Sequence, residues 1–304
     1  MRKHLLGLEG MSRAEIEEIL DRADEMRALL DAGKKDNGFL KGKCVVTMFY
    51  ENSTRTRTSF VTATKYCGAM NVNLAVSTSS VQKGESLIDT AHTLEANKAD
   101  AIIIRHQASG AAKLLSENVN ACVINAGDGM HEHPTQALLD MLTMRRHFGK
   151  IDGLKVSIIG DVKHSRVARS NIYGLQTMGA EVTVYGPKTL LPYGIEQSGA
   201  RVATSIEDAI RGADVVMGLR IQLERQEKGM FPSIGEYARY YGINTERLKL
   251  AKPTAVVMHP MPVNRGVEMT HEACDCPESL LLEQVTNGVA VRMAILTLML
   301  EDKK

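Results

Sequence analysis

The sequence carries almost no excess of either charge: 37 Lys and Arg residues face 36 Asp and Glu, a net +1 over 304 residues. A near-neutral total excludes the broad attraction that draws proteins to nucleic acid or to anionic membranes. Any anion site must come from local placement of Arg and Lys. Cysteine is sparse as well, with Cys44, Cys67, Cys122, Cys274 and Cys276 odd in number and scattered. Cys274 and Cys276 form a lone C-x-C with no second cysteine or histidine pair nearby, which argues against a zinc site. Buried free thiols in a reducing cytoplasm are the expectation. Long hydrophobic runs are missing. Leu5 to Leu8 is too short for a signal-peptide core, and Val289 to Leu300 falls well below membrane-spanning length and carries Arg292. There is no fixed-period repeat and no low-complexity tract. Nor does a G-x-G-x-x-G follow the Ile158-Ile159-Gly160-Asp161 turn, which counts against a dinucleotide-binding oxidoreductase.

What is present is an ordinary globular balance, 44% hydrophobic and 24% charged. At ~100–200 residues per domain, a chain of this length is expected to form two. Ser12 with Glu15 has the spacing of a capping box and opens a helix whose apolar face holds Ile16, Ile19, Leu20, Ala23 and Leu30. Cys44 to Phe49 is the near-continuous apolar run of a buried strand. Ser53 to Gly68 then reads as a helix, and further strands are expected at Asn71–Val76, Ala101–Ile104 and Ala121–Ile124. A Pro-started helix follows from Pro134 to His147. After the break at Gly149–Gly153 a second series of strands is expected at Lys155–Ile159, Glu181–Tyr185, Val215–Leu219 and Thr254–Met258. Helices at Arg166–Met178 and Ser205–Ile210 separate them. This alternation predicts an α/β fold of two domains, each a parallel sheet flanked by helices. The domains are expected at 1–149 and 150–288, with a terminal helix over 289–304 assigned to the first.

The densest chemical signal is Ser53-Thr54-Arg55-Thr56-Arg57, between a buried strand and an amphipathic helix. A helix start offers unpaired N–H groups and partial positive charge, and hydroxyls with guanidinium groups there make a phosphate cradle. A capping Ser with solvent-facing arginines would explain the same letters. The coincidence of strand end, hydroxyl cluster and paired Arg favours the anion site, because ligands of open α/β sheets gather beyond strand carboxyl ends.

This segment resembles the carbamoyl-phosphate signature of the aspartate and ornithine carbamoyltransferases. The resemblance extends along nearly the whole chain. Ser77 to Ser86 is similar to the family's loop bearing an essential Lys, here Lys83, and Ile104-Arg105-His106 to its strand-end Arg. Asn125-Ala126-Gly127-Asp128-Gly129, followed by His133-Pro134-Thr135-Gln136, resembles its most characteristic stretch. The resemblance implies that Ser53, Thr54, Arg55, Thr56, Ser79, Arg105, His133 and Gln136 bind carbamoyl phosphate. Arg55, Thr56, Lys83, Arg105 and His133 would be catalytic, and the backbone at Met261 and Pro262 would hold the carbamoyl group. His131 does not match a motif position and reads as a loop histidine.

Two further arginines, Arg166 and Arg220, each stand just beyond an apolar strand. Paired guanidinium groups suit a dicarboxylate, since Arg grips carboxylate in a planar fork. Relatives acting on aspartate carry this pair with a Gln two positions after the second, here Gln222, and Lys83 would complete the aspartate contacts. Relatives acting on ornithine carry a Ser-Met-Gly segment and His-Cys-Leu-Pro; this chain has no Ser-Met-Gly and reads His259-Pro260-Met261-Pro262. The resemblance thus implies carbamoyl transfer from carbamoyl phosphate to L-aspartate, in pyrimidine biosynthesis, with no metal and no cofactor. It implies a cytoplasmic homotrimer whose neighbouring chains share sites through the Ser79–Lys83 loop. It leaves open regulatory or dihydroorotase partner chains.

Overall fold

Strands that are apolar on both faces can be buried only in a sheet covered by helices on each side. The chain contains two such sheets. The computed structural model describes residues 2–75, 83–221 and 233–301. They divide into one unit of Met1–Leu142 with Val285–Lys304 and a second of Thr143–Gln284.

The first unit runs α1 (Arg13–Asp31), β1 (Cys44–Phe49), α2 (Thr54–Tyr66), β2 (Met70–Leu74), α3 (Leu87–Ala96), β3 (Ala101–His106), α4 (Ala111–Ser116), β4 (Cys122–Asp128) and the start of α5 (Pro134–Phe148), whose residues from Thr143 on belong to the second. Its sheet has the order β2-β1-β3-β4 with all pairs parallel. One face packs Val46, Met48, Ile102, Ile104 and Val123 against Ala91 and Leu94 of α3 and Leu115 of α4. The alternate residues Val45, Ile103 and Ile124 are also fully buried, so both faces are covered. Each such side chain contributes roughly 1.5–3 kcal/mol of burial. The capping box at α1 is complete: Ser12 Oγ accepts the Glu15 N–H, and Glu15 Oε2 accepts the Ser12 N–H at 2.8 Å. In α1 the last buried residue is Met26 rather than Leu30.

The second unit contains β5 (Lys155–Ile159), α6 (Arg166–Thr177), β6 (Glu181–Tyr185), β7 (Arg201–Val202), α7 (Ile206–Ile210), β8 (Val215–Gly218), α8 (Ile234–Tyr241), α9 (Thr245–Leu248), β9 (Val256–Met258) and α10 (His271–Cys274). Its sheet order is β7-β6-β5-β8-β9, again parallel throughout. Ile159, Val216 and Val257 pack with Ile206 and Ile210 of α7 and with Ile243 and Met269.

The terminal helix, α11, spans Leu281–Leu300, and so begins well before Val289. Gly288 hides this in the sequence, because glycine in a helix interior costs about 0.5–1 kcal/mol against alanine. A Cβ there would lie 2.6 Å from Arg292 Nη1 and 3.2 Å from Leu139 Cδ2, so the glycine buys close packing on α5. Arg292 itself is 3% exposed. It donates to Ser59 Oγ of α2 at 3.0 Å and Thr135 Oγ1 of α5 at 3.4 Å, and its guanidinium lies 5.0 Å over the Phe60 ring. No helix among the described residues is long and apolar enough to cross a membrane.

The carboxyl ends of β5 and β6 approach so closely that a Cβ on Gly186 would stand 2.2 Å from the carbonyl oxygen of Gly160. Backbone cannot yield as a flexible side chain does. Gly186→Ala is expected to destabilise the second unit by about 1–3 kcal/mol, read as a lower urea midpoint. An unshifted midpoint would show that the two strand ends are not so tightly apposed.

Candidate functional site

A parallel sheet aims every strand's carboxyl end the same way, and a crevice opens where the strand order reverses. In the first sheet the reversal lies between β1 and β3, since the chain goes from β1 to β2 on one side and then to β3 on the other. The two ends are level, with Phe49 paired to Arg105. Glu51, Ser53 and α2 follow β1 directly. Ser53 is the N-cap in extended conformation, and its side chain makes no capping hydrogen bond. The hydroxyl is therefore not committed to the first-turn N–H groups, which are the donors an anion would use. Thr54 and Arg55 are exposed in that turn, while Thr56 is buried.

The other members arrive from β3 and from the start of α5. Arg105 Nε donates to Glu51 Oε2 at 3.2 Å, and its Nη1 to the Ala126 carbonyl at 3.4 Å. Both ionic side chains are mostly buried, 16% and 12% exposed, so water screens this pair less than a surface bridge. His133 is buried ahead of Pro134, with Nε2 at 3.5 Å from Thr56 Oγ1. Gln136, one turn in, donates from Nε2 to Asp140 Oδ1 at 2.9 Å. Thr56 and His133 are thus brought together, and Arg105 stands at the level of the strand end that leads into α2. Lys83 is exposed ahead of α3. Ser79 lies outside the described residues.

The Asn125–Gly129 stretch works as a brace. Asn125 Nδ2 donates to Asp128 Oδ1 at 2.7 Å, and its Oδ1 accepts the Gly127 N–H at 2.8 Å. Burial pushes the Asp128 carboxyl up, but His131, Asn125 and the Gly110 N–H together hold it below the usual carboxylate range. Glu9, His131 and Glu132 bring ligand-type atoms within 4.8 Å of one another. Glu132, however, accepts the Leu8 and Glu9 N–H groups at 2.7 and 3.1 Å, so it ties the N-terminal segment to the turn between β4 and α5.

The second sheet repeats the logic. Its order reverses between β5 and β8, where Ile159 pairs with Gly218. Beyond β5 the buried Asp161 faces His164 Nδ1 at 2.9 Å and accepts the His164 N–H at 3.1 Å, closing a turn that delivers Arg166 to the start of α6. Ser165 caps that helix by accepting the Ala168 N–H at 3.1 Å. Beyond β8, Leu219 is buried and Arg220 half-buried. Gln222 lies outside the described residues.

After β9 comes Met261-Pro262, joined by a cis peptide, with Met261 at φ +52°. A non-glycine residue in the left-handed region costs roughly 1–2 kcal/mol. Tyr237, in α8, is buried; burial and the Glu268 and Asp161 carboxylates push its hydroxyl far up. The residues that sequence reasoning missed are Glu51, Asp140 and Glu268. Each is a partner of a recognised residue; only the fold shows the pairings of Glu51 and Glu268, whereas Asp140 follows Gln136 by four residues on the expected helix.

Comparison with known proteins agrees in extent with this two-unit plan. Residues 3–146 match the aspartate/ornithine carbamoyltransferase carbamoyl-P binding domain, and residues 152–299 match the Asp/Orn binding domain of the same family. The aspartate carbamoyltransferase catalytic subunit of Ruminiclostridium cellulolyticum is 58% identical, covering 98% of this chain and 95% of its own. That of Caldanaerobacter subterraneus is 58% identical over 100% and 99%. Among solved structures, Trypanosoma cruzi aspartate transcarbamoylase with carbamoyl phosphate and aspartate has a TM-score of 0.86 at 31% identity, over 97% and 95%. Ornithine carbamoyltransferase from Pyrococcus furiosus has a TM-score of 0.88 at 29% identity, over 99% and 98%.

Removing one charge-assisted donor from the candidate anion site at the start of α2 should weaken inorganic phosphate about 10–100-fold, from ~1.5–3 kcal/mol per bond. Because Arg55 is exposed, Arg55→Ala should leave the thermal midpoint unchanged. Calorimetric titration of phosphate checks this, and unaltered affinity would take Arg55 out of the site.

Proposed function

The chain belongs to the aspartate/ornithine carbamoyltransferase family, and on that premise we propose its reaction in detail. It transfers the carbamoyl group of carbamoyl phosphate to the amine of L-aspartate, giving N-carbamoyl-L-aspartate and phosphate. The observation that carries the acceptor is the pair Arg166 and Arg220, set beyond β5 and β8 where the second sheet reverses order.

The donor phosphate is held at the start of α2 by Ser53, Thr54, Arg55 and Thr56, with Arg105. That phosphate carries the charge that Glu51 otherwise offers Arg105, so binding exchanges a carboxylate partner for a phosphate one. The carbamoyl oxygen lies toward Thr56, Arg105 and His133. These donors act most strongly when the attacking amine turns the carbonyl into a tetrahedral oxyanion. Gln136 has its NH₂ committed to Asp140, which leaves its carbonyl oxygen to accept from the carbamoyl amide. Met261 and Pro262 offer backbone groups to the same moiety.

Arg166, Arg220 and Gln222 bind the two carboxylates of aspartate, with Lys83 adding positive charge. As the oxyanion collapses, the C–O bond to phosphate breaks, and the departing phosphate takes the amine proton. Holding two reactants in bonding geometry supplies much of the rate. In this reading the enzyme works in the cytoplasm in pyrimidine biosynthesis. It is a homotrimer in which Ser79 and Lys83 serve a neighbouring chain, as closed cyclic assemblies permit.

Three measurements test the proposal. Steady-state turnover with aspartate against ornithine should favour aspartate by orders of magnitude; equal or reversed preference would sink the acceptor assignment. Arg220→Ala should raise the Michaelis constant for aspartate at least tenfold, about 1.4 kcal/mol, while carbamoyl phosphate affinity stays put. Equal weakening of both would place Arg220 in the fold or at the phosphate. Mixing Lys83→Ala with Arg55→Ala chains under subunit exchange should restore activity, because some hybrid sites contain both residues intact. Parental activity despite proven exchange would mean that Lys83 works within its own chain.

A further inference from the structure

Glu268 is a fully buried carboxylate in the second unit to which the reaction above assigns no role. Its side chain is 1% exposed. Oε1 accepts the Asn264 N–H at 2.6 Å and faces His259 Nε2 at 3.6 Å. On the other ring nitrogen, His259 Nδ1 accepts the Met261 N–H at 2.8 Å. An imidazole nitrogen that accepts carries no proton, so the ring proton sits on Nε2, directed at Glu268. The backbone N–H of His259 is in turn held by Gln284 Oε1 at 3.0 Å. One carboxylate therefore stands on both flanks of the Met261–Pro262 turn, through a hydrogen bond to the Asn264 amide after it and an electrostatic contact, longer than a hydrogen bond, with the imidazole before it.

That arrangement bears on a backbone needing restraint. Met261 sits at φ +52°, and a residue in that region persists only where its surroundings over-determine it. The contacts that do so are the Met261 N–H on His259 and the Asn264 N–H on Glu268. Neither depends on a side chain of the turn itself. A loop loosened by a fraction of an ångström would still bind but would present its carbonyl and amide groups in the wrong place.

We infer that Glu268 is a positioning residue for the transfer, clamping the Met261–Pro262 turn through Asn264 and the His259 ring. The inference rests on the reading that this turn holds the carbamoyl group. Glu268 touches no substrate. A glutamine keeps an oxygen for the Asn264 N–H, whereas leucine fills the space with no acceptor, and aspartate keeps the charge but withdraws the oxygens by one methylene.

The test compares Glu268→Leu, Glu268→Asp and Glu268→Gln with the unaltered enzyme. Three readouts are taken: hydrogen exchange at the Met261 and Asn264 amides, kcat with both substrates saturating, and calorimetric affinity for inorganic phosphate. The expected result for Leu and Asp is exchange at least tenfold faster and kcat at least tenfold lower, with phosphate affinity within twofold. Gln should recover most of both losses. If Leu does not fold, Asp carries the same comparison. Unchanged exchange in a folded variant overturns the inference, because Glu268 then does not hold the turn. A parallel fall in phosphate affinity also overturns it, since the effect is then on the fold at large. Faster exchange with kcat within twofold points elsewhere. It shows the turn is held but not used, so the carbamoyl contact of Met261 and Pro262 fails, and the catalytic consequence of Glu268 with it.

Discussion

Everything chemical in this chain depends on the single direction of its strands. In a parallel sheet every strand's carboxyl end, and the amino end of the helix that follows, falls on the same edge. The positive ends of the helix dipoles therefore gather where the connecting turns are. Each sheet adds an order reversal beside its first strand, between β1 and β3 and between β5 and β8. Level pairings, Phe49 with Arg105 and Ile159 with Gly218, bring the two turns at each reversal side by side. A chain with a net charge of only +1 thereby concentrates cationic groups at two edges without becoming a cationic protein.

Concentrated charge has to be restrained, and the restraints are buried. Arg105 leans on Glu51, and the turn before Arg166 is closed by Asp161 and His164. Arg292 does this at longer range. Burial pulls its guanidinium down to about 10, with Asp140 opposing the shift, so it remains charged at neutral pH. From α11 it reaches Ser59 on α2 and Thr135 on α5. Those are the helices whose starts carry Arg55 and Thr56 on one side and His133 and Gln136 on the other. Asp140 in turn orients the Gln136 amide. The starts of α2 and α5, which form the candidate donor site, thus belong to helices tied to each other by a buried cation and its carboxylate neighbour.

The fold was legible in the sequence wherever periodicity was strong. The apolar runs Cys44–Phe49, Lys155–Ile159 and Glu181–Tyr185 are strands with the expected bounds. Ser12 with Glu15 gives the capping box that its spacing announces. Weak or mixed segments were not legible. The two-residue β7 has too few letters to show alternation, and Gly288 disguised the first turns of α11. For the candidate site, the residue types proposed to meet ligands stood out because a strand end, a hydroxyl cluster and paired arginines coincide at one strand–helix junction. Their partners did not. Glu51 and Arg105 are 54 residues apart, and nothing short of the β1–β3 register places a carboxylate of that separation beside that arginine. Glu268 is closer in the chain to His259, yet its inward direction depends on the course of the turn between them.

The architecture does not choose the acceptor. The Trypanosoma cruzi aspartate enzyme and the Pyrococcus furiosus ornithine enzyme superpose on this chain with TM-scores of 0.86 and 0.88. One fold is therefore shared by an enzyme named for a dicarboxylic amino acid and one named for a diamino acid. What differs must be local, in side chains such as those that the one reversal of the second sheet presents. A guanidinium at Arg166 and another at Arg220 would repel the side-chain ammonium of ornithine while pairing with a second carboxylate. In a partly buried site that difference in sign is worth more than any change of shape, because an unpaired charge there has little water to fall back on. On the proposed assignment, specificity would reside in a few residues carried just beyond β5 and β8, where the register of the second sheet sets the two turns side by side.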